Sequence, residues 1–205
     1  MLGGEADAIL TDPPYGIGQE GVTHDAPQEH TQLMQDSASC LPVSDAAIVI
    51  FQSTRTFPIM LDAMRQSGYK FERILSLYKE AQCTFPWRGW ILKSESILVF
   101  SIGKPSWNEV KPYVHDAYKV SEVSHELKEG QGWHGSVKPL VVVKDIASRI
   151  CPEGACIYDP FLGSGTTMVA AEQLDRTCYG MEIDPGYCAV ILERMNQMGL
   201  EGVKA

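Results

Sequence analysis

The stretch that decides the fold is Ile157-Tyr158-Asp159-Pro160-Phe161-Leu162-Gly163-Ser164-Gly165-Thr166-Thr167. The apolar run Ala155 to Tyr158 predicts a strand, and Gly165 to Leu174 predicts a helix. Gly163 and Gly165 join the two and leave no side chain where a ligand must approach the backbone. Free amides at the helix start can face an electronegative group. Thr177 to Met181 predicts the next strand, and Glu182 closes it 19 residues after Gly163. In open α/β sheets an acid about 20 residues beyond such a loop takes ribose hydroxyls. A glycine turn that merely packs helix on strand is the competing reading. The succession of strand, glycine turn, helix, strand and acid argues against it.

The dinucleotide fingerprint needs a third glycine. Met168 stands there instead. A nucleoside ligand without pyrophosphate fits better. S-adenosylmethionine has ribose hydroxyls, a cationic sulfonium and no phosphate.

The remaining elements follow the same alternation. Ala6 to Thr11 and Ala46 to Phe51 predict buried strands. Between them, residues 18–30 read as a polar loop and residues 31–40 as weakly helical. Thr56 to Ser67 predicts a helix stopped by Gly68. Phe71 to Tyr78 and Ser96 to Ile102 predict two strands, separated by an insert containing Pro86-Trp87-Arg88-Gly89-Trp90. Residues 103–136 read as irregular, polar and aromatic. Lys138 to Ile150 and Pro185 to Met198 predict helices. The expected fold is therefore α/β, with a mostly parallel sheet.

The first strand ends in Asp12-Pro13-Pro14-Tyr15. Ligands bind at the carboxyl edge of such sheets, where this turn must lie. Two prolines fix φ and lack N–H donors, so the turn is rigid and presents mainly acceptors. The Asp12 carboxylate and a carbonyl of the Pro13–Pro14 backbone can both accept from one amino group. A planar aromatic amine is a poor nucleophile because its lone pair is delocalised into the ring. Holding both its hydrogens favours a pyramidal nitrogen aimed at a methyl donor. Tyr15 can stack on the base, which must be flipped out of a duplex to be reached.

Length and composition bound the reading. A chain of 205 residues, 44% apolar and 21% charged, suits one globular domain, taken as residues 1–205. No run of 18 apolar residues exists to span a membrane, and Met1 to Asp7 does not read as a secretory signal. The cysteines, at 40, 83, 151, 156, 178 and 188, form no Cys-x-x-Cys pair, and the five histidines are scattered. Reduced thiols, no metal and a cytoplasmic setting are the expectation. The net charge of −9 is unevenly spread. Residues 1–51 carry eight acids and no Lys or Arg, whereas residues 52–104 carry eight bases against four acids. Within this basic island Arg55, Arg65, Lys79, Arg88 and Lys93 are candidates for phosphate contact. A solvated face is the alternative.

Taken together, these residues resemble the S-adenosylmethionine-dependent amino-methyltransferases of DNA. Asp12-Pro13-Pro14-Tyr15 is similar to the catalytic motif, and Asp159 to Thr167 to the cofactor loop. Gly180-Met181-Glu182-Ile183-Asp184, followed by Tyr187, is similar to the acidic ribose motif. Lys138-Pro139 is similar to the motif that covers the methionine end of the cofactor. The catalytic motif precedes the cofactor loop, as in the beta class. The resemblance implies a Rossmann-like seven-stranded sheet with one antiparallel edge pair, Phe71–Tyr78 with Ser96–Ile102. It implies Asp12, Pro13, Pro14 and Tyr15 as catalytic residues. Lys138, Asp159, Phe161, Gly163, Gly165, Thr166 and Glu182 are the implied cofactor-binding residues.

It also implies DNA as partner, with Lys79, Phe85, Pro86 and Trp87 near the target base and Arg88 among the DNA-facing bases. A short target-recognition region falls within residues 103–136, where Asn108, Lys111, Lys119 and Gln131 are candidate base readers alongside Trp107, Tyr113, His115, Tyr118, His125, Trp133 and His134. A homodimer or a partner subunit is an expected source of specificity, in a bacterial or phage setting.

The chain departs from the family pattern in two places. Ser94-Glu95 stands where a His-Glu pair is common. A strand that members carry upstream of the catalytic motif is expected to be missing here. Asp at position 12 leans towards adenine as the methylated base. Cytosine is the close alternative. RNA and protein glutamine are more distant substrates, and an inactive DNA- or partner-binding module of the same fold is the reading from another class.

Overall fold

Eight consecutive buried residues, Ala46–Ser53, form strand β2, and four more, Ala8–Thr11, form β1 beside it. Strands buried at every position must be covered on both faces, which selects a central place in the sheet. The computed structural model describes residues 6–15, 32–33, 35–36, 44–80, 88–121 and 137–202, and places them so. The other strands are β3 (Lys70–Lys79), β4 (Ser94–Ile102), β5 (Ala117–Val120), β6 (Cys156–Asp159) and β7 (Thr177–Gly180). The helices are α1 (Phe57–Gln66), α2 (Leu140–Ile150), α3 (Thr166–Glu172) and α4 (Pro185–Gln197).

The seven strands run in the order β5-β3-β4-β2-β1-β6-β7. Only β4 is reversed, lying antiparallel to both β2 and β3. The sheet is therefore mostly parallel, as expected. One feature differs from the sequence reading. The segment read as irregular contains β5, which pairs in parallel outside β3, so the β3–β4 pair lies one strand in from the edge. On the opposite side, β7 has no strand beyond it among the described residues.

Two cores cover the sheet. On one face Ala8, Leu10, Phe51, Leu77, Ile97 and Val99 pack against Val142, Val143 and Ile146 of α2 and Ala170 and Ala171 of α3. On the other, Ile9, Ile48, Ile50, Leu98 and Phe100 pack against Met60, Ala63 and Met64 of α1. Each strand thus sends alternate residues to opposite layers. A third cluster, Leu162, Val169, Ile191 and Met195, seats α4 against the glycine loop. The described cysteines, Cys151, Cys156, Cys178 and Cys188, are free thiols. No helix among the described residues is long and apolar enough to cross a membrane.

Gly165 shows why the loop has its composition. Its φ is +80°, a region that side chains rarely adopt, and a Cβ there would lie 3.0 Å from Ile191 Cγ1. Substitution Gly165→Ala should therefore destabilise the fold by about 1–2 kcal/mol. Thermal denaturation should show a melting temperature lower by roughly 2–8 °C. An unchanged melting temperature would contradict this account of the loop.

Candidate active site

The alternation along the strands brings distant charges together. On the face covered by α2, Leu10 is followed two residues on by Asp12, and Leu77 by Lys79. Glu95 precedes Ile97 in the same way. Because β4 is reversed, its first residues lie at the carboxyl ends of β2 and β3, where Glu95 pairs with Ser53 and Leu77. Asp12, Lys79 and Glu95 therefore share one rim of one layer. Lys138, two residues before α2, closes the group.

The contacts are close. Lys138 Nζ donates to Asp12 Oδ2 at 2.5 Å and lies 3.6 Å from Glu95 Oε2. Lys79 Nζ donates to Glu95 Oε1 at 2.5 Å. The Tyr15 hydroxyl donates to Glu95 Oε2 at 3.4 Å, and the Lys138 ammonium lies 5.1 Å from the Tyr15 ring centroid. The Tyr15 carbonyl accepts from Thr56 Oγ1 at 2.8 Å, which ties the turn to the start of α1. The Lys138 side chain is 5% exposed and that of Glu95 11%. Buried charge is costly unless paired, and here two carboxylates meet two ammonium groups.

The electrostatics follow from that pairing. Burial pushes the Asp12 carboxyl upward, the neighbouring Lys138 pulls it down, and Glu95 adds to the rise; the net shift is upward. Burial works against the Lys138 ammonium, but Asp12 and Glu95 outweigh it and raise its pKa. Glu95 is held below its ordinary range because Lys138 and Lys79 overcome its burial. Burial and the nearby Lys138 lower Lys79. Asp12 Oδ1, meanwhile, is buried and takes no hydrogen bond among the described residues. An acceptor shut away from water is expensive until a donor arrives.

The glycine loop lies beside this cluster. Gly163 N–H donates to Glu182 Oε2 and Asp184 N–H to Glu182 Oε1, each at 2.8 Å. Leu162 N–H donates to the Met181 carbonyl at 2.9 Å, and Arg194 of α4 donates to the Ser164 carbonyl at 2.7 Å. Each Glu182 oxygen has taken one donor and retains capacity for another. Phe161 and Gly163 are half-buried, whereas Gly165 and Thr166 are buried. Asp184 caps α4, accepting from the Gly186 and Tyr187 amides.

Asp159 is itself buried, accepting from Thr11 Oγ1 at 2.6 Å and from the Phe161 amide at 3.1 Å. It thus fastens the end of β1 to the end of β6. Burial pushes its carboxyl up to about 6 against the pull of Thr11, Thr167 and the Phe161 amide.

The structure unites Asp12, Pro13, Pro14, Tyr15 and Lys138 at one rim. Phe161, Gly163 and Gly165 lie on the adjoining loop, Thr166 opens α3, and Glu182, just past β7, is held to the loop through the Gly163 amide. Lys79, expected to face DNA, is instead paired within the cluster. Arg88 lies on the exposed turn before β4. Trp87, with Phe85 and Pro86, lies outside the described residues, as do His125, Gln131, Trp133 and His134. Asn108 is half-buried and its side chain donates to the Ser148 carbonyl at 2.9 Å, while the exposed Lys119 pairs with Glu80 at 3.3 Å. Glu95 and Thr11 were missed as site residues. The lone signal for Glu95 was the His-Glu position it half fills.

Comparison with known proteins agrees with this geometry. The sequence pattern of a DNA methylase family matches residues 6–193. The chain belongs to the DNA methylase family. Among its curated relatives is the type II methyltransferase M.HindIII of Haemophilus influenzae, 28% identical over 77% of this chain. The chain spans 64% of that relative's length. A crystal structure of an M1.HpyAVI–SAM complex superposes with a TM-score of 0.73 at 25% identity, covering 94% of this chain and 89% of that one. The cytosine-N4-specific PvuII DNA methyltransferase shares the fold, with a TM-score of 0.72 at 15% identity and coverage of 91% and 78%.

Asp159 provides a test. Its folded pKa lies above the ordinary Asp value, so the folded state binds the proton more tightly. That contribution is fully present at low pH and is lost as pH rises through about 6. Asp159→Asn, which keeps an acceptor for Thr11, should gain on the parent by on the order of 3 kcal/mol between pH 4 and pH 7. Melting curves across that range should show the difference widening and then levelling. A constant difference would remove the buried carboxyl as its cause.

Proposed function

We propose that the protein transfers a methyl group from S-adenosylmethionine to the exocyclic amino group of adenine in DNA. The observation that carries this reading is Asp12 Oδ1, a buried acceptor without a donor on the rim beside the glycine loop. An amino N–H supplies the missing donor. Lys138 holds the other carboxylate oxygen, so the group cannot swing away. The Pro13–Pro14 backbone offers carbonyls and no N–H, and one of them takes the second amino hydrogen. The Tyr15 ring, steadied through its carbonyl by Thr56, stacks on the base.

The residues of the glycine loop fit the cofactor. Glu182 already ties Gly163 to Asp184 and retains lone pairs for ribose hydroxyls. When bound, S-adenosylmethionine supplies an electrophilic methyl on a sulfonium that leaves as a neutral thioether. Asp12 need not remove a proton before attack, since the amine becomes acidic only as the new bond forms. Positioning is then the main task of the protein. Adenine is favoured by the Asp at position 12, a tendency of the family. Arg88 and Lys93, on the segment leading to β4, are proposed to meet phosphates, and residues 103–136 to contribute to target recognition.

Labelled methyl transfer to unmethylated duplex DNA, followed by nucleoside analysis, tests the reading. Methyladenine is expected. Methylcytosine would keep the chemistry and change the base, and no transfer despite cofactor binding would reject the reading. Asp12→Ala should lower transfer at least about 100-fold while the cofactor Kd stays within a few fold. Transfer at the parental rate would remove Asp12 from the mechanism.

Glu182→Ala should weaken cofactor binding by about 10–100-fold, read by calorimetry, since it removes charge-assisted bonds. An unchanged Kd would remove Glu182 from the ribose role.

A further inference from the structure

Lys138 was expected to cover the methionine end of the cofactor, yet its ammonium lies against the catalytic turn. It is buried between two carboxylates, 2.5 Å from Asp12 Oδ2 and 3.6 Å from Glu95 Oε2. Glu95 in turn holds Lys79 on its other oxygen. Phe51 and Tyr15 wall the ammonium, with ring centroids 5.5 Å and 5.1 Å away. The four charges sum to zero, and each end of the chain needs the middle. Removing one member leaves an uncompensated buried charge.

We propose that Lys138 and Glu95 are positioning residues that together set the charge of Asp12. The Lys138 ammonium keeps Asp12 a carboxylate, and Glu95 determines how much of that ammonium's field Asp12 receives. This rests on the reading of Asp12 as the acceptor for the substrate amine. A protonated Asp12 would turn a donor towards an amino group that can only donate to it, so the reaction needs the ionised form. Burial alone drives Asp12 towards the neutral form, and Glu95 adds to that drive. Lys138 opposes both. The groups facing Asp12 are Lys138 ahead of α2, Glu95 on β4, Tyr15 on the turn, Lys79 on β3 and Asp159 on β6. Among these, Lys138 makes the ion pair with Asp12, and Glu95 is the carboxylate that shares its ammonium.

The two residues act on Asp12 with opposite sign. Lys138→Met removes the stabilising charge, so Asp12 should take up a proton at higher pH. Glu95→Gln removes a like charge and leaves Lys138 to Asp12 alone, so Asp12 should protonate at lower pH. A general packing defect does not produce opposite shifts from two neighbours.

The titration that tests it needs neither cofactor nor DNA. Protein carrying carbon-13 at Asp carboxyls is titrated by NMR, with the Asp12 resonance assigned through Asp12→Asn. Lys138→Met should move the Asp12 titration up by about one unit or more, and Glu95→Gln should move it down. Lys138→Arg should restore it. In the wild type and these variants, the acid limb of kcat/KM for methyl transfer should follow the same order, with the cofactor Kd within about threefold.

If Lys138→Met fails to fold, Glu95→Gln and Lys138→Arg decide the matter. A downward shift with the first and a parental titration with the second support the proposal. An unmoved or upward titration in Glu95→Gln overturns it. So does a Lys138→Met protein whose Asp12 titration is parental while cofactor binding weakens tenfold, since Lys138 would then serve the cofactor. Wild-type protein that transfers no methyl group despite the expected titration shifts would reject the functional reading and leave the electrostatic coupling standing.

Discussion

Pairing Ala8 with Ala47 on one side and with Ile157 on the other brings the carboxyl ends of β2, β1 and β6 to one line. Strand β1 has only four residues, all buried, so its register cannot slip without driving Ile9 and Leu10 into the wrong layers. The turn that follows it therefore emerges at a fixed height beside the glycine loop. The hydrogen bond from Thr11 to Asp159 draws the two ends together across this junction. The rest of the site is arranged around that line. Reversal of β4 delivers Glu95 to the same edge, β3 delivers Lys79, and the entry to α2 delivers Lys138.

The parts of the site legible in the sequence were those whose chemistry is local. Asp12 to Tyr15 and Ile157 to Thr167 are continuous segments, and their glycines and prolines carry meaning without reference to anything distant. Glu182 was legible because one helix and one strand fix its distance from the loop. The charge cluster was not. Lys138 and Asp12 are 126 residues apart in sequence, and only the sheet order makes them neighbours. A lysine next to a proline reads as a surface residue or a cofactor ligand until the layer above it is known. For the same reason Lys79 reads as one base among eight in a basic island, although it is largely buried.

Strand β5 was missed on different grounds. Ala117–Val120 is four residues long and alternates exposed with half-buried positions, a pattern too short to distinguish from a loop. Its existence depends on the open edge of β3, to which it adds in parallel. Anchors from outside the strand hold the segment in place. Tyr118 donates to Asp145, and Arg149 reaches the Val110 carbonyl, both partners on α2 being polar residues on its flank. Asn108 joins the same set through Ser148. A polar, aromatic stretch can thus be ordered by a helix that follows it in the chain, information absent from the stretch itself.

These anchors give the scaffold a modular joint. The chain leaves at Val120, pinned to β3, and returns at Leu140, pinned to the sheet by α2. The leaving post is set by the pairing of Ala117–Val120 with Ser76–Lys79, and the returning one by the packing of Val142, Val143 and Ile146 on the sheet. Lengthening such a span costs only about 0.6 kcal/mol per doubling. A difference in length between the two posts therefore costs the sheet little. The return post lies two residues from Lys138, however, so a strain on the start of α2 is felt also by the ammonium beside Asp12.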